Sequence, residues 1–346
     1  MAIESCLHNY VIKQTIRSDL FIGILLLGIM SSPGEARKST NDFGIPASST
    51  TSSESSDGRP KFQSKIHIPV TLAKVATSLP PPGYQLVVSD EFDGVSVDTN
   101  RWGFRLDSKL LSTQQPENVS VKNGNLEIAL RKESVRGKPY TGGGVISRQT
   151  FVYGYYEARF KTPPAEGWHT AFWSMRKNFP DQPSGLSALL ELDFCEQDGG
   201  DPRFYSFGVI NQSRYHQIKN HQSWNAGRWV IEDAPDTSAG FHVWSCEFTP
   251  EKIRFYFDGK LTKELSSSGF PHDEMSVWFS AIASTLKGDR WVDESKLPNA
   301  VLCDYIRVYQ HPKYREAEAA VRAEVLRPRP PLEKTKDIGP SLLELN

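Results

Sequence analysis

Cysteine is scarce in this sequence, four in 346 residues. Cys6 lies in a leader-like N-terminus, leaving Cys195, Cys246 and Cys303. None has a CxxC spacing, which argues against a zinc or dithiol redox centre. Three small buried side chains are expected, with a Cys246–Cys303 bridge left open because both fall in strand-like segments. Net charge is lacking too: 40 Lys and Arg stand against 41 Asp and Glu, a formal −1. No global field therefore draws the chain to nucleic acid or an anionic membrane. Long apolar runs are absent apart from LFIGILLLGIM (20–30), which is short for a membrane span. Lys13 and Arg17 before it and SSPGEA after it make residues 1–36 read as an export signal, hence a secreted or periplasmic protein. An uncleaved anchor is the alternative.

What is present is organised in blocks. Residues 37–62 (RKSTNDFGIPASSTTSSESSDGRPKF) are rich in Ser and Thr and read as a linker. The folded domain is expected over 63–310. From 311 to 346 the chain turns charged and Pro-rich, with a short amphipathic helix at 314–326; linker and tail are both expected to be poorly ordered. The domain is β in character almost throughout. ENVSVKNGNLEIALR reads as a hairpin turning at Asn123-Gly124, and KIRFYFDGKLTKEL as another turning at Asp258-Gly259. GYYEARFKT alternates, with Tyr155, Glu157, Arg159 and Lys161 on one face and Tyr156, Ala158 and Phe160 on the other. No long stretch carries a helical period. Many short strands with regular turn signals make an all-β sandwich or barrel.

One segment, ALLELDFCEQDGG (188–200), conflicts with simple alternation. Glu191 and Asp193 share a face, but strict period two sends Glu196 to the face of Leu190, Leu192 and Phe194. Burying an ionised glutamate without a partner costs several kcal/mol. A β-bulge near Phe194–Cys195 resolves this by adding one residue and returning all three acids to the same face. Glu191 and Glu196 then behave as four apart, with Cα atoms about 13 Å from each other. Side chains leaning together bring the carboxyls to about 5 Å, the separation of a retaining glycosidase. Crowded carboxylates cannot all ionise easily, so one should hold its proton near neutrality. A solvated strand face or a calcium-binding acidic patch would show the same three letters.

The surrounding sequence resembles glycoside hydrolase family 16, the laminarinase, lichenase, agarase and carrageenase group. ELDFCE matches the bulged form of that family's ExDxxE signature. SDEFDG…RW (89–102), ENVSVKNGNLEI (117–128), GGGVISRQTFVYGYYEARFKTP (143–164) and GWHTAFWSMR (167–176) follow in the family's order. FHVWSCEFTPEKIRFYFDG (241–259) and DYIRVYQ (304–310) are similar to its later strands, so the likeness runs over about 220 residues. The resemblance implies a concanavalin-like β-jelly-roll of two curved antiparallel sheets with a sugar cleft on the concave face. It assigns Glu191 as nucleophile, Glu196 as general acid/base and Asp193 as the residue between them that tunes protonation. It implies no cofactor for catalysis.

Other residues are candidates for substrate contact. Trp173 matches a cleft-lining position, and Trp168 is its neighbour; Trp offers the broad face that sugar rings stack on, and it also packs well in cores. Trp278, Trp224, Trp229 and Trp291 are weaker candidates. Asn118 and Arg148 occupy motif positions on the glycone side, and His169 and His216 are within reach of the motif. The sequence departs from the family where many members carry a histidine after the acidic motif: FGVINQ places Ile210 or Asn211 there. By resemblance, Asp304 would hold a structural calcium with Glu91 and the Gly124 carbonyl; a hydrogen-bonded or salt-bridged Asp304 is the alternative. A monomeric enzyme with a polysaccharide partner is expected, retaining and endo-acting, with laminarin-type β-1,3-glucan favoured. Agar, porphyran and carrageenan stay open because Arg148, Arg176, Lys177, Arg214 and Lys219 could meet sulfate groups. A lectin-like binder and a transglycosylase are the other readings.

Overall fold

The computed structural model describes residues 65–66, 80–180, 188–212, 225–231, 234–284 and 291–325. The leader at 1–36, the linker at 37–62, His216, Trp224, Arg214, Lys219 and the tail beyond 325 lie outside them. Among the described residues no helix is long and apolar enough to cross a membrane.

The chain forms a β-jelly-roll whose strands, among the described residues, pair antiparallel with two parallel exceptions. One sheet runs, in spatial order, β3 (Trp102–Phe104), β8 (Lys138–Phe151), β17 (Met275–Ala283), β10 (Trp168–Met175), β11 (Leu190–Asp198), β12 (Tyr205–Asn211) and β13 (Asn225–Ile231). β1 (Lys65–Ile66) joins its edge parallel to β13. The second sheet centres on β18 (Asn299–Gln310), with β2 (Gln85–Asp90) and β7 (Asn125–Val135) on one side and β9 (Gly154–Lys161) on the other. β14 (His242–Phe248), β15 (Lys252–Phe257) and β16 (Lys260–Ser266) extend it beyond β9, and β6 (Val119–Lys122) lies outside β7. A small third patch joins β4 (Ser108–Lys109), β5 (Ser112–Gln114) and the start of β8; its β5–β8 pairing is the other parallel one.

Alternation decides the layers. Tyr156, Ala158 and Phe160 of β9 face the space between the sheets, where Phe160 stacks on Trp244 at 3.9 Å between ring centroids and Tyr156 on Phe194 at 5.2 Å. Each such buried large side chain contributes roughly 1.5–3 kcal/mol relative to exposure. The two expected hairpins turn at Asn123-Gly124 (φ 52° and 71°) and Asp258-Gly259 (45° and 75°), the left-handed pair that a two-residue turn requires. A third turn of the same kind, Arg136-Gly137 (49° and 74°), joins β7 to β8. Its arginine gives no turn signal in the sequence.

The three cysteines are the small buried side chains expected, the bridge left open is not formed, and the expected C-terminal helix is present and packed rather than poorly ordered. Cys195, Cys246 and Cys303 are all buried and free. Cys246 pairs opposite Tyr156 and Cys303 opposite Phe160, on the two strands that flank β9. Two strand spacings of about 4.8 Å and four residues of rise separate them, too far for a disulfide. The folded unit also continues past 310. A helix, α1 (Arg315–Val325), packs Ala317 and Val321 on the core, and the Gln310 amide donates to the Glu318 carboxylate at 3.0 and 3.1 Å.

Candidate active site

The bulge is present. On β11, Phe172 of β10 faces Cys195 while Trp173 faces Asp193, which leaves Phe194 as the extra residue. The pairing with β12 skips in the same place, Asp193 to Gly208 and then Glu196 to Ser206. Leu190, Leu192, Phe194 and Cys195 all enter the core, and the cost of burying Glu196 there is avoided. Glu191, Asp193 and Glu196 therefore stand together on the concave face, opposite Met175, Trp173 and Ala171 of β10.

Each acid has a different surrounding. Burial raises the Glu191 carboxyl above its ordinary range; the Gln212 amide, which donates to Glu191 Oε2, and a hydrogen bond with Asp193 pull the other way, while the Glu196 charge adds to the rise. Asp193 is buried and is raised well above the usual carboxylate range, first by desolvation and then by Glu196 and Glu191. Asp193 therefore resists ionisation more than an ordinary aspartate, and it lies within hydrogen-bond reach of Glu191. Glu196 accepts the Arg228 Nη2 at 2.9 Å and the Ser206 hydroxyl at 3.3 Å on one oxygen, and His169 Nε2 lies 3.4 Å from the other. Burial depresses His169 to about 4, so it is neutral at pH 7.

An apolar floor adjoins the acids. Trp173 and Trp278 stack at 4.4 Å with 28° between planes, packed with Ile146, Ala171 and Phe179. The Arg105 guanidinium lies 5.8 Å from the Trp173 ring centre and 6.0 Å from that of Trp278. It donates to Asp107 at 2.7 and 3.0 Å and to the Ser280 hydroxyl at 3.0 Å. Lys177 Nζ sits 5.8 Å from the Trp278 ring centre, and Arg148 lies 5.1 Å over Phe179 while its Nε donates to the Thr99 carbonyl at 2.8 Å.

Several other sequence candidates fall elsewhere. Trp168 is one residue out of phase with His169 and Ala171, so it is fully buried between the sheets against Tyr140 and does not line the cleft. Trp229 likewise packs on Phe207 and Phe255 in the core. Asn118 is buried and donates its amide to the Gly142 carbonyl at 2.9 Å. Arg176 is buried in an ion pair with Asp273 and is not available to a sulfate group. Trp291 is exposed, beside Gly167 at the start of β10.

The calcium set does not hold together. A second bulge, between Cys303 and Tyr305, turns Asp304 off the apolar face, and it pairs with Arg159 Nη1 at 2.5 Å. Glu91 accepts Arg307 at 2.8 and 2.7 Å. Gly124 supplies the β6–β7 turn. A guanidinium on each carboxylate opposes a divalent cation, so these residues do not fit one. Among the described residues no group of three or more His, Cys, Asp or Glu could hold a metal.

Sequence reasoning missed Arg105, Ser206, Gln212, Arg228 and Ser280. They reach the site through strand pairing or loops, and no local motif marks them.

The family model for the β-porphyranase A-D GH16 domain matches residues 85–311. A β-glucanase from Rhodothermus marinus is 27% identical over 256 residues, covering 66% of this chain and 86% of its own. β-Porphyranase E from Zobellia galactanivorans is 31% identical over 209 residues, 54% of this chain and 72% of that one. The solved laminarinase from Rhodothermus marinus superposes with a TM-score of 0.56 at 25% identity, over 67% of this chain and 99% of that one. With a jelly-roll, a bulged acidic strand and a family match over most of its described length, this chain belongs to glycoside hydrolase family 16 and is an endo-acting glycoside hydrolase.

Proposed function

We propose that the chain cleaves internal β-linkages of a polysaccharide with retention of configuration, Glu191 serving as nucleophile and Glu196 as general acid/base. The observation that carries this is the bulge at Phe194, which sets both glutamates on the cleft face with Asp193 between them. In the first step Glu191 attacks the anomeric carbon and the glycosidic C–O bond breaks, while Glu196 gives its proton to the leaving oxygen. In the second, Glu196 takes a proton from water, which displaces the Glu191 ester. Asp193 and Gln212 hold the Glu191 carboxylate by hydrogen bonds. The stacked Trp173 and Trp278 form the apolar surface for a sugar ring.

The substrate that best fits this cleft is an anionic β-galactan of the porphyran class. Lys177 lies beside the Trp278 ring and Arg148 over Phe179 at the edge of the tryptophan floor, and a neutral glucan calls for no such cations. The match to the β-porphyranase model and the 31% identity to β-porphyranase E support the same reading. Laminarin-type glucan, favoured from sequence, is the second reading, supported by the β-glucanase and laminarinase relatives.

A reducing-sugar assay over porphyran, agarose, carrageenans, laminarin and lichenan tests both. Porphyran should be cleaved fastest; cleavage of laminarin alone would reverse the order. Proton NMR should show the β-anomer of the product first, and early α-anomer would refute retention.

A further inference from the structure

We infer that the C-terminal helix α1 clamps the catalytic strand, with Arg322 as the positioning residue through which it keeps the acids in place. The inference rests on the reading of β11 as the strand that carries nucleophile and acid/base.

The family match ends at 311, so the helix at Arg315–Val325 lies beyond it and takes no role from the resemblance. In its sequence, REAEAAVRAEV, Ala317 and Val321 stand four apart on one face, and both pack on the core between the sheets. Tyr314, just before the helix, is buried and packs on Tyr153 at 6.0 Å between ring centroids. Glu318 accepts the Gln310 amide from the end of β18. Arg322, four residues after Glu318, reaches back to the strands.

Two paths lead from this helix to β11. The first is polar. Arg322 Nη1 pairs with Glu274, and its Nη2 donates to the Thr150 carbonyl at 3.2 Å. The Thr150 hydroxyl donates to the same Glu274 oxygen at 2.6 Å. The other Glu274 oxygen lies 4.0 Å from Arg176 Nη1, and Arg176 is held by Asp273. Asp273 in turn accepts the Leu189 N–H at 2.8 Å, immediately before the first residue of β11. Alternating charges thus run from the helix to the entrance of the acidic strand.

The second path is aromatic and ends at the bulge. Tyr156 on β9 is fully buried, its ring stacked on Phe194 at 5.2 Å with 19° between planes. Phe194 is the extra residue that brings Glu196 back to the cleft face. Burial pushes the Tyr156 hydroxyl well above its ordinary range; Cys246 and Glu318 add to the rise, and Arg322 opposes it. The hydroxyl end of Tyr156 is therefore turned towards the helix while its ring supports the bulge.

A strand held at its entrance and at its bulge keeps both glutamates fixed relative to the sugar. A misplacement of about 1 Å between reacting groups costs about a hundredfold in rate. The tryptophan floor is fixed differently, by its own stack and by the β10–β17 ladder. Loss of the clamp should therefore fall on turnover more than on binding.

The test places Arg322→Ala, Arg322→Lys and Glu274→Gln in the full chain. Steady-state kinetics use whichever polysaccharide of the panel is cleaved, and amide exchange is read by peptide mass spectrometry. Arg322→Ala should lower kcat about ten- to hundredfold with KM within about twofold. Peptides covering 188–196 should exchange at least about tenfold faster, while those of β15 and β16 keep the wild-type rate. Arg322→Lys retains the charge and should recover most of kcat. Glu274→Gln should resemble Arg322→Ala, and it serves if Arg322→Ala does not fold. The double variant should be no worse than the poorer single one, because both break the same path.

Wild-type kcat in Arg322→Ala, additive losses in the double variant, or exchange that quickens equally in every strand would each overturn the clamp. Glu191→Ala separates the two levels. If it cleaves polysaccharide at the wild-type rate, the reading of β11 as the catalytic strand is wrong. If it is inactive while Arg322→Ala keeps wild-type kcat, the clamp alone fails.

Discussion

Asp273→Ala should loosen the whole acidic strand. Asp273 is fully buried and bonds the Arg176 guanidinium, with Nε at 3.1 Å. Its other oxygen accepts the backbone N–H of Leu189 at 2.8 Å, directly before β11, and Oδ1 also takes the Glu274 N–H at 2.8 Å. Removing the carboxylate leaves a buried arginine without its close partner, a loss of about 3–5 kcal/mol. Glu274, 4.0 Å from Arg176 Nη1, compensates in part, which favours the lower half of that range. For a domain of this size each kcal/mol lowers Tm by about 2–4 °C, so a fall of about 6–16 °C is expected. Asp273→Asn keeps an acceptor for Leu189 and should fall by less. Near-UV circular dichroism on heating at pH 7 measures both, and polysaccharide hydrolysis at 25 °C reports whether β11 remains in place. A Tm within about 2 °C of wild type for Asp273→Ala would refute the claim that this pair anchors the strand.

Trp173→Ala should raise KM about tenfold with a smaller change in kcat, because it removes half of the stacked floor without touching the acids; steady-state kinetics check the split. Asp193→Asn should be more stable than wild type at pH 7 and equal to it near pH 3. The Asp193 pKa is raised by folding, so the folded state binds more protons and stability falls as pH rises from the ordinary aspartate range towards the folded value; Tm against pH measures it. His169→Asn should flatten the acid side of the same curve between pH 6.5 and about 4. The folded pKa of His169 is lowered, so its contribution is complete above 6.5 and is lost as pH falls towards 4.

The acidic strand was legible because its own chemistry ruled out the simple pattern. Strict alternation over 190–196 puts Glu196 among Leu190, Leu192 and Phe194, and the cost of burying it there says that an extra residue intervenes. The hairpin turns were legible where Asn or Asp preceded Gly. In β18 strict alternation sets Asp304 with Ile306 and Val308, but there a bound cation would satisfy the carboxylate as well as a bulge does, so alternation alone does not reveal that it faces Arg159. Trp168 and Trp173 lie five apart on one strand and so on opposite faces, and composition gives both the same appeal. Arg228 was illegible because it acts from two strands away. Its distance from Glu196 depends on the β11–β12–β13 register, which no local spacing encodes.

The most direct test of the central claim is covalent trapping. A 2-deoxy-2-fluoro glycoside of the preferred substrate, carrying a good leaving group, should inactivate the enzyme with one equivalent bound, and peptide fragmentation should place the sugar ester on Glu191. A label on Asp193 or Glu196 would contradict the assignment of the nucleophile.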